Sequence, residues 1–432
     1  MVTLIGSLSG ITIWVLLIYL SKKYDLQFKQ LMIIVFLIGI LLRVAFAVFT
    51  PTFYAPDEQP HFKYVQYLYE QKKLPVQVSK TNDPTNDWEY YQPPLYYLLL
   101  VPVYWLFDIL SSGDIPTIVI ALRIISIILS AIFLWFTIKI LNNLELNELF
   151  VKTFIVSMVY LLPSYVFISS VINNDNLIIA LSGAIIFFLT KNRTLINSIY
   201  IGLLLGFAFL TKLTAFILLL GIISFFTYHL IRKKCSLLGT LKHIVLVALI
   251  SLFISLPMFL RNLHLYGDFI GESVANVRVT WPSWLYGFLA TIKYMMDSFW
   301  ASAGITYNIE FLSGFSLLLT AFIIVSLVYI LLKKKNSIQS YLNSKLGNFL
   351  IPMLFTVFVE IFLIIRFGLL YEQGQGRFLY ILLIPISILI AISIFEFEKV
   401  KKIRSHLFVL GFFILYNTSF LGYCIEKYIS LG

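Results

Sequence analysis

Long apolar runs recur from one end of the chain to the other, at roughly 2–20, 30–50, 116–138, 150–172, 176–190, 196–209, 213–230, 240–259, 312–332, 347–368, 378–396 and 406–424. A helix needs about 20 such residues to cross the hydrocarbon core of a bilayer. The chain has 432 residues, 60% of them hydrophobic and only 12% charged, where soluble domains carry about 25% charged residues. The expected fold is therefore an all-α polytopic membrane protein of about 12 or 13 transmembrane helices. It should form one unit over 1–432, since no stretch is left over for a soluble domain. The first run lacks a convincing signal-peptide cleavage pattern. The two pieces around Lys212 are short enough to be half-spans, and 94–110 is weakened by Pro93, Pro94 and Pro102.

The net charge of +11 does not point to nucleic acid, because the basic residues gather in short loops. They stand at Lys22, Lys23 and Lys29; at Lys191 and Arg193; and at Arg232, Lys233, Lys234 and Lys242. They recur at Lys333, Lys334, Lys335 and Lys345, then at Lys399, Lys401, Lys402 and Arg404. The positive-inside rule makes these loops cytoplasmic, which leaves the long loops 51–93 and 260–311 outside. The first of these sets four lysines against six acids, Asp57, Glu58, Glu70, Asp83, Asp87 and Glu89. Cys235 and Cys424 fall on opposite sides, so no disulfide is expected, and no metal-ligand spacing is present.

This orientation poses a parity problem. If 51–93 and the NNDN segment at 173–176 are both external, an even number of crossings must separate them, yet 94–110, 116–138 and 150–172 make three. The expected resolution is that 94–110 lies in the interface or re-enters, with a polar cavity near Gln92 and Tyr96.

The stretch APDEQPHFKYVQYLYEQKK at 55–73 places Asp57, Glu58 and His61 where a span leaves the membrane. Pro60 suits the first turn of a new helix. Phe62, Val65 and Tyr69 share one face, so this helix should lie along the interface. An acid pair there reads either as a base brought to a lipid-linked substrate or as an ordinary helix cap. Eight tyrosines stand between 51 and 97. Most are expected to belong to an interfacial belt, with a minority lining a site.

In order, the polar landmarks are PDEQPHF (56–62), YYQPPLYY (90–97), ALR (121–123), NNDNL (173–177), FLTKLTAF (209–216), RNLHLYGD (261–268) and QGRFLY (375–380). From about residue 30 to residue 385 this series resembles the GT-C superfamily of multi-spanning glycosyltransferases, the group of the lipid A aminoarabinose and protein O-mannosyltransferases. That pattern has an Asp-Glu in the first external loop, a (His/Lys/Gln)-Pro-Pro-Leu element and an Asp in the second external loop. A Leu-Thr-Lys and a late Gly-Arg-Tyr-like element follow in several bacterial branches.

The resemblance implies transfer of a hexosyl or pentosyl unit, with inversion, from a polyprenyl-phosphate donor to a hydroxyl of an extracytoplasmic lipid, glycan or protein. The setting would be a plasma or inner membrane. The chemistry asks for a carboxylate to take the acceptor's proton and for cations or N–H donors at the departing phosphate. Asp57 is the candidate general base, and Glu58 would orient the acceptor or a metal. His61, Gln92, Asp175, Lys212, Arg261 and Arg377 are the candidate substrate-binding residues. Lys212 is the only charge from 194 to 228, and a lysine at mid-membrane depth costs about 2.5–3.5 kcal/mol. Arg377 follows GQG, whose backbone N–H groups are expected to face an anion. No cofactor is required; a divalent ion, if one is used, would sit on Asp57, Glu58 and Asp175. Glu360 and Arg366 could pair within one span, while Arg43 and Arg123 are expected to be structural.

Three other readings compete, one of them an interaction or scaffold protein that keeps a dead transferase fold, against which the retained Asp57 and Asp175 argue. A transporter or flippase of lipid-linked intermediates would share the span number and intramembrane charge, yet the PDE and QPP elements have no second copy. A membrane ligase or polymerase would use loop arginines such as Arg261 and Arg278.

Overall fold

The computed structural model describes residues 1–24, 26–78, 88–271, 279–303, 311, 313–333, 341, 343–398 and 405–431. Asp83, Asp87, Arg278 and the basic residues Lys334, Lys335, Lys399, Lys401, Lys402 and Arg404 lie outside the described residues, as do parts of both long loops. Among the described residues there is no strand, and sixteen α-helices follow one another. They are α1 (Val2–Tyr24), α2 (Phe28–Phe49), α3 (Glu58–Gln71), α4 (Leu95–Ser111), α5 (Ile115–Asn143), α6 (Leu149–Leu161), α7 (Pro163–Ile168) and α8 (Asp175–Leu189). After them come α9 (Leu195–Phe209), α10 (Ala215–Ile231), α11 (Leu237–Tyr266), α12 (Trp284–Trp300), α13 (Ser313–Lys333) and α14 (Lys345–Tyr371). A 3-10 turn, Gly376–Leu382, then leads into α15 (Leu383–Glu398), and α16 (Ser405–Leu431) ends the chain.

Among the described residues seven helical segments are long and apolar enough to cross a membrane, and α4, α6, α8, α9, α10 and the Gly314–Tyr329 part of α13 are apolar but shorter. Contacts between distant loops define two ends of the bundle. At one end Arg193 donates to the Lys234 carbonyl, Arg232 to Asn343 and Lys345 to Glu145. This is the basic end. At the other, Arg123 donates to the carbonyls of Ala47, Thr50 and Pro51, and the Leu95 N–H to the Leu210 carbonyl.

The helices α3, α4 and α12 gather at that second end. Tyr96, at the start of α4, faces Ser126 of α5, while Tyr69 of α3 donates to Asp108 in the last turns of α4. So α4 folds back along the first turns of α5, beyond the level of Thr50. With 29 residues, α5 is about 43 Å long and overshoots a hydrocarbon core of about 30 Å. The projecting part joins α3 and α4 in a core of its own, built on Tyr64, Tyr97, Tyr104 and Leu122, separate from the large core of the bundle. So α4 packs beside α3 and the start of α5 at this end of the bundle, which is the placement that crossing parity asks of 94–110.

The third of these helices, α12, stands inside the stretch expected as loop 260–311. Its approach docks on the end of α14, through Val279 N–H to Leu370 O and Trp281 Nε1–H to Leu369 O. Its far end meets Ser164 and Tyr380. Its amphipathic sequence gave no uniform apolar run to detect. The other helices, α1, α2, α5, α6, α8–α11 and α13–α16, pack against one another in the bundle.

Buried polar groups hold the bundle together. Arg43 on α2 is fully buried, donating to Ser169 and to the Gly39 and Tyr160 carbonyls, with its guanidinium 4.1 Å from the Tyr160 ring centroid. Glu360 and Arg366 form no pair.

Candidate functional site

The end carrying α3 and α4 collects charged side chains from four separate parts of the chain. Asp57 immediately precedes α3 with φ 59, a left-handed backbone that is uncommon for any residue but glycine. Such a conformation costs about 1–3 kcal/mol and tends to persist where neighbours fix it. The Asp57 side chain makes no capping hydrogen bond, so the simple cap reading fails. Instead its Oδ2 accepts from Arg377 Nη2 at 3.0 Å, and it stays 35% exposed.

Asp175 is the first residue of α8 and is 7% exposed. Its Oδ1 accepts from Lys212 Nζ at 2.6 Å, and its Oδ2 lies 3.7 Å from Arg377 Nε. Arg377 thus stands between two aspartates contributed by different helices. Lys212 sits at the tip of the α9–α10 hairpin, and its Nζ and the Arg377 guanidinium lie 5.7 and 5.8 Å from the Phe378 ring.

Why these residues meet follows from local chemistry. The NNDN segment is buried, so every polar group in it needs a partner. Asn173 Oδ1 caps the Asp175 N–H at 2.9 Å, and Asn176 Nδ2 donates to the carbonyls of Ile168, Val171 and Asn173. Tyr96 and Tyr97 of α4 pin it from above, taking the Asn173 N–H at 3.1 Å and contacting Asn174 Nδ2 at 3.4 Å. Tyr97 also stacks on Tyr64 at 3.8 Å and bonds His61 Nδ1 at 2.9 Å. Tyr64, Tyr96 and Tyr97 are therefore packed scaffolding, not an interfacial belt.

Arg377 is placed by Gly376, where a Cβ would come within 2.1 Å of the Met295 carbonyl oxygen of α12. Two of the three N–H groups of GQG are engaged: Gly376 donates to Ser298 Oγ at 2.7 Å and Gln375 to the Gln373 carbonyl. Close packing is what the glycine supplies here. The side chain carries the anion-binding capacity, since Arg377 Nε and Nη1 are buried without a hydrogen-bond partner.

Glu58 departs from its expected role. Fully buried, its carboxylate accepts from Arg123 Nε and Nη2 at 2.8 and 2.6 Å, and from the N–H groups of Ile172 and Phe53. This carboxylate ties the end of α2, the body of α5 and the approach to NNDN together, which makes it a positioning group. Arg123 has the structural role expected of it. The three carboxylates expected for a divalent ion do not converge: Glu58 is saturated, while Asp57 and Asp175 already face Arg377 and Lys212. Among the described residues no group of three His, Cys, Asp or Glu is arranged to hold a metal, so the donor set does not fit one.

Arg261 also stands apart from the cluster. It donates to the Pro75 carbonyl, clamping the end of α11 to the chain leaving α3. His61 is buried beside Asp57; desolvation, against the pull of Asp57, lowers its pKa to about 3, so the ring is neutral. Gln92 is buried with Nε2 bonded to Tyr91 at 3.0 Å. It reaches Glu89, which the sequence had marked only as a loop acid. Burial, then the charge of Asp57, pushes the Glu89 carboxyl up to about 8. The one sequence signal for Glu89 was its place directly before YYQPP.

No family model and no curated protein matches the sequence. Solved structures do. ArnT from Cupriavidus metallidurans bound to undecaprenyl phosphate is 11% identical, with a TM-score of 0.56 over 92% of this chain and 78% of that one. Its apo state gives 13% identity and 0.55, covering 91% and 76%. The apo oligosaccharyltransferase of Archaeoglobus fulgidus gives 13% and 0.51 over 94% of this chain, which spans 57% of its length. ArnT, a lipid A aminoarabinose transferase, and the oligosaccharyltransferase are both GT-C glycosyltransferases. This chain has the fold they share: an all-α, multi-spanning bundle of the GT-C type.

Proposed function

We propose that this protein is a membrane glycosyltransferase that moves a sugar from a polyprenyl-phosphate donor to an acceptor hydroxyl on the extracytoplasmic face. The observation that carries this reading is Arg377. Its Nη1 is buried without a hydrogen-bond partner, while Nη2 meets a partly exposed aspartate and Nε lies 3.7 Å from a second, buried one. Leaving such a donor unmet costs about 1–3 kcal/mol, more for a charged group, and a phosphate oxygen would meet it. That ArnT has been captured with undecaprenyl phosphate on the same fold supports this ligand class.

In the reaction the acceptor oxygen attacks the anomeric carbon and gives its proton to Asp57. The bond from that carbon to the phosphate oxygen breaks, and its electron pair leaves with the phosphate. Direct displacement inverts the anomeric centre. Charge grows on the phosphate as the sugar departs, and Arg377, with Lys212 behind it, stabilises that charge where water is scarce. Asp175 holds both cations in place. The acceptor is a lipid or glycan near the membrane.

Comparing the masses of cell-envelope lipids and glycans with and without the gene tests this reading. Deletion is expected to remove one sugar unit from an envelope glycan or lipid and to let its polyprenyl-phosphate donor accumulate. Unchanged envelope masses and donor pools would contradict it.

A further inference from the structure

Glu89 has no place in the reaction as written, yet it lies within the charge cluster. Its side chain is acted on by Asp57, Lys212 and Arg377, and it touches Gln92. Its Oε2 is buried without a hydrogen-bond partner. The two cations nearby are already matched, Arg377 by Asp57 and Lys212 by Asp175. A third carboxylate would bring a negative charge with no counter-ion into a buried site, which is costly; a protonated one would not. As an acid, Glu89 carries a hydroxyl that needs an acceptor. Arg377 Nη1, in the same charge cluster, lacks an acceptor too.

We propose that Glu89 is a further ligand of the donor's phosphate, presenting its carboxylic O–H to a phosphate oxygen alongside the Arg377 guanidinium. This rests on the donor reading given above. A neutral acid kept as a hydrogen-bond donor in a desolvated site is an established device for stabilising growing negative charge. Ionisation of Glu89 would replace that donor with a carboxylate facing the phosphate, and donor affinity would fall. The shift of its carboxyl towards 8 puts this loss at mildly alkaline pH. The other groups facing Glu89 do not give the same signal. The charged groups facing it are Asp57, Lys212 and Arg377, and burial pushes the neighbouring Tyr91 phenol up, away from that window.

The test uses the full-length protein in lipid nanodiscs, with sugar-free polyprenyl phosphate as the probe and its Kd measured from pH 7 to 9. Wild type is expected to bind about tenfold more weakly at pH 9 than at pH 7. Glu89→Gln, which cannot ionise, should show a flat Kd over that range. Glu89→Leu, with no donor, should bind more weakly at pH 7 than Glu89→Gln. A wild-type Kd that does not change with pH, a Glu89→Gln slope equal to wild type, or equal affinities for the Leu and Gln variants would overturn the proposal. Arg377→Gln separates the two levels of the argument. If it weakens binding while the Glu89 variants do not, only the role of Glu89 fails. If wild type binds no polyprenyl phosphate, or Arg377→Gln binds as well as wild type, the donor reading fails and takes this inference with it.

Discussion

Arg377 Nη2 donates to Asp57 Oδ2 at 3.0 Å, joining residues 320 positions apart in sequence, and the same guanidinium lies 3.7 Å from Asp175. One fork therefore fixes the proposed base through Nη2 and faces Asp175 through Nε, while Nη1 remains without a partner. A lysine at this position would keep the charge and lose the fork. Arg377→Lys is expected to lower donor affinity and turnover together, each by roughly tenfold or more, since a charged hydrogen bond contributes about 1.5–3 kcal/mol. Transfer kinetics at varied donor concentration check this; wild-type kinetics would show that charge alone suffices.

The Glu58–Arg123 pair should show itself in stability. Removing one member of a buried pair costs about 3–5 kcal/mol, so Arg123→Met should lower the unfolding temperature markedly and Glu58→Gln should do so less. The measurement is thermal unfolding in detergent or nanodiscs. A Glu58→Gln protein with wild-type stability and no turnover would return Glu58 to the chemistry.

His61 gives a pH dependence with a definite sign. Its folded pKa of about 3 lies below the ordinary histidine value of about 6.5, so folding favours the neutral ring. That contribution is fully present above about pH 6.5 and is lost as pH falls towards 3. His61→Gln should therefore flatten the fall in unfolding temperature across that window. An unchanged acid slope would mean that other groups set it.

Much of this site can be read from sequence because its chemistry sits in short polar islands within apolar surroundings. Asp57, Asp175, Lys212 and Arg377 each stand out for that reason, and the fold brings the four together. The Glu58–Arg123 pair could not be read in the same way, because the two residues lie 65 positions apart and their partnership depends on how α3 crosses α5. Glu89 looked like any loop acid, since nothing local reports that the loop folds inward. Arg261 is the opposite case: a cation at a span end suits a phosphate as well as it suits a carbonyl, and its contact with Pro75 could not be read from sequence. The helix at Trp284–Trp300 escaped notice because its amphipathic sequence forms no uniform apolar run.

The central claim is that Asp57 takes a proton during sugar transfer. The most direct measurement is single-turnover transfer by purified protein in liposomes, using a labelled polyprenyl-phosphate sugar and following release of polyprenyl phosphate. Asn keeps the size and a hydrogen-bond acceptor but cannot accept the proton, and general-base catalysis contributes about 10²–10⁴-fold. Asp57→Asn is expected to bind donor and to slow release by that factor. An Asp57→Asn protein that releases polyprenyl phosphate within a few-fold of the wild-type rate would contradict the account.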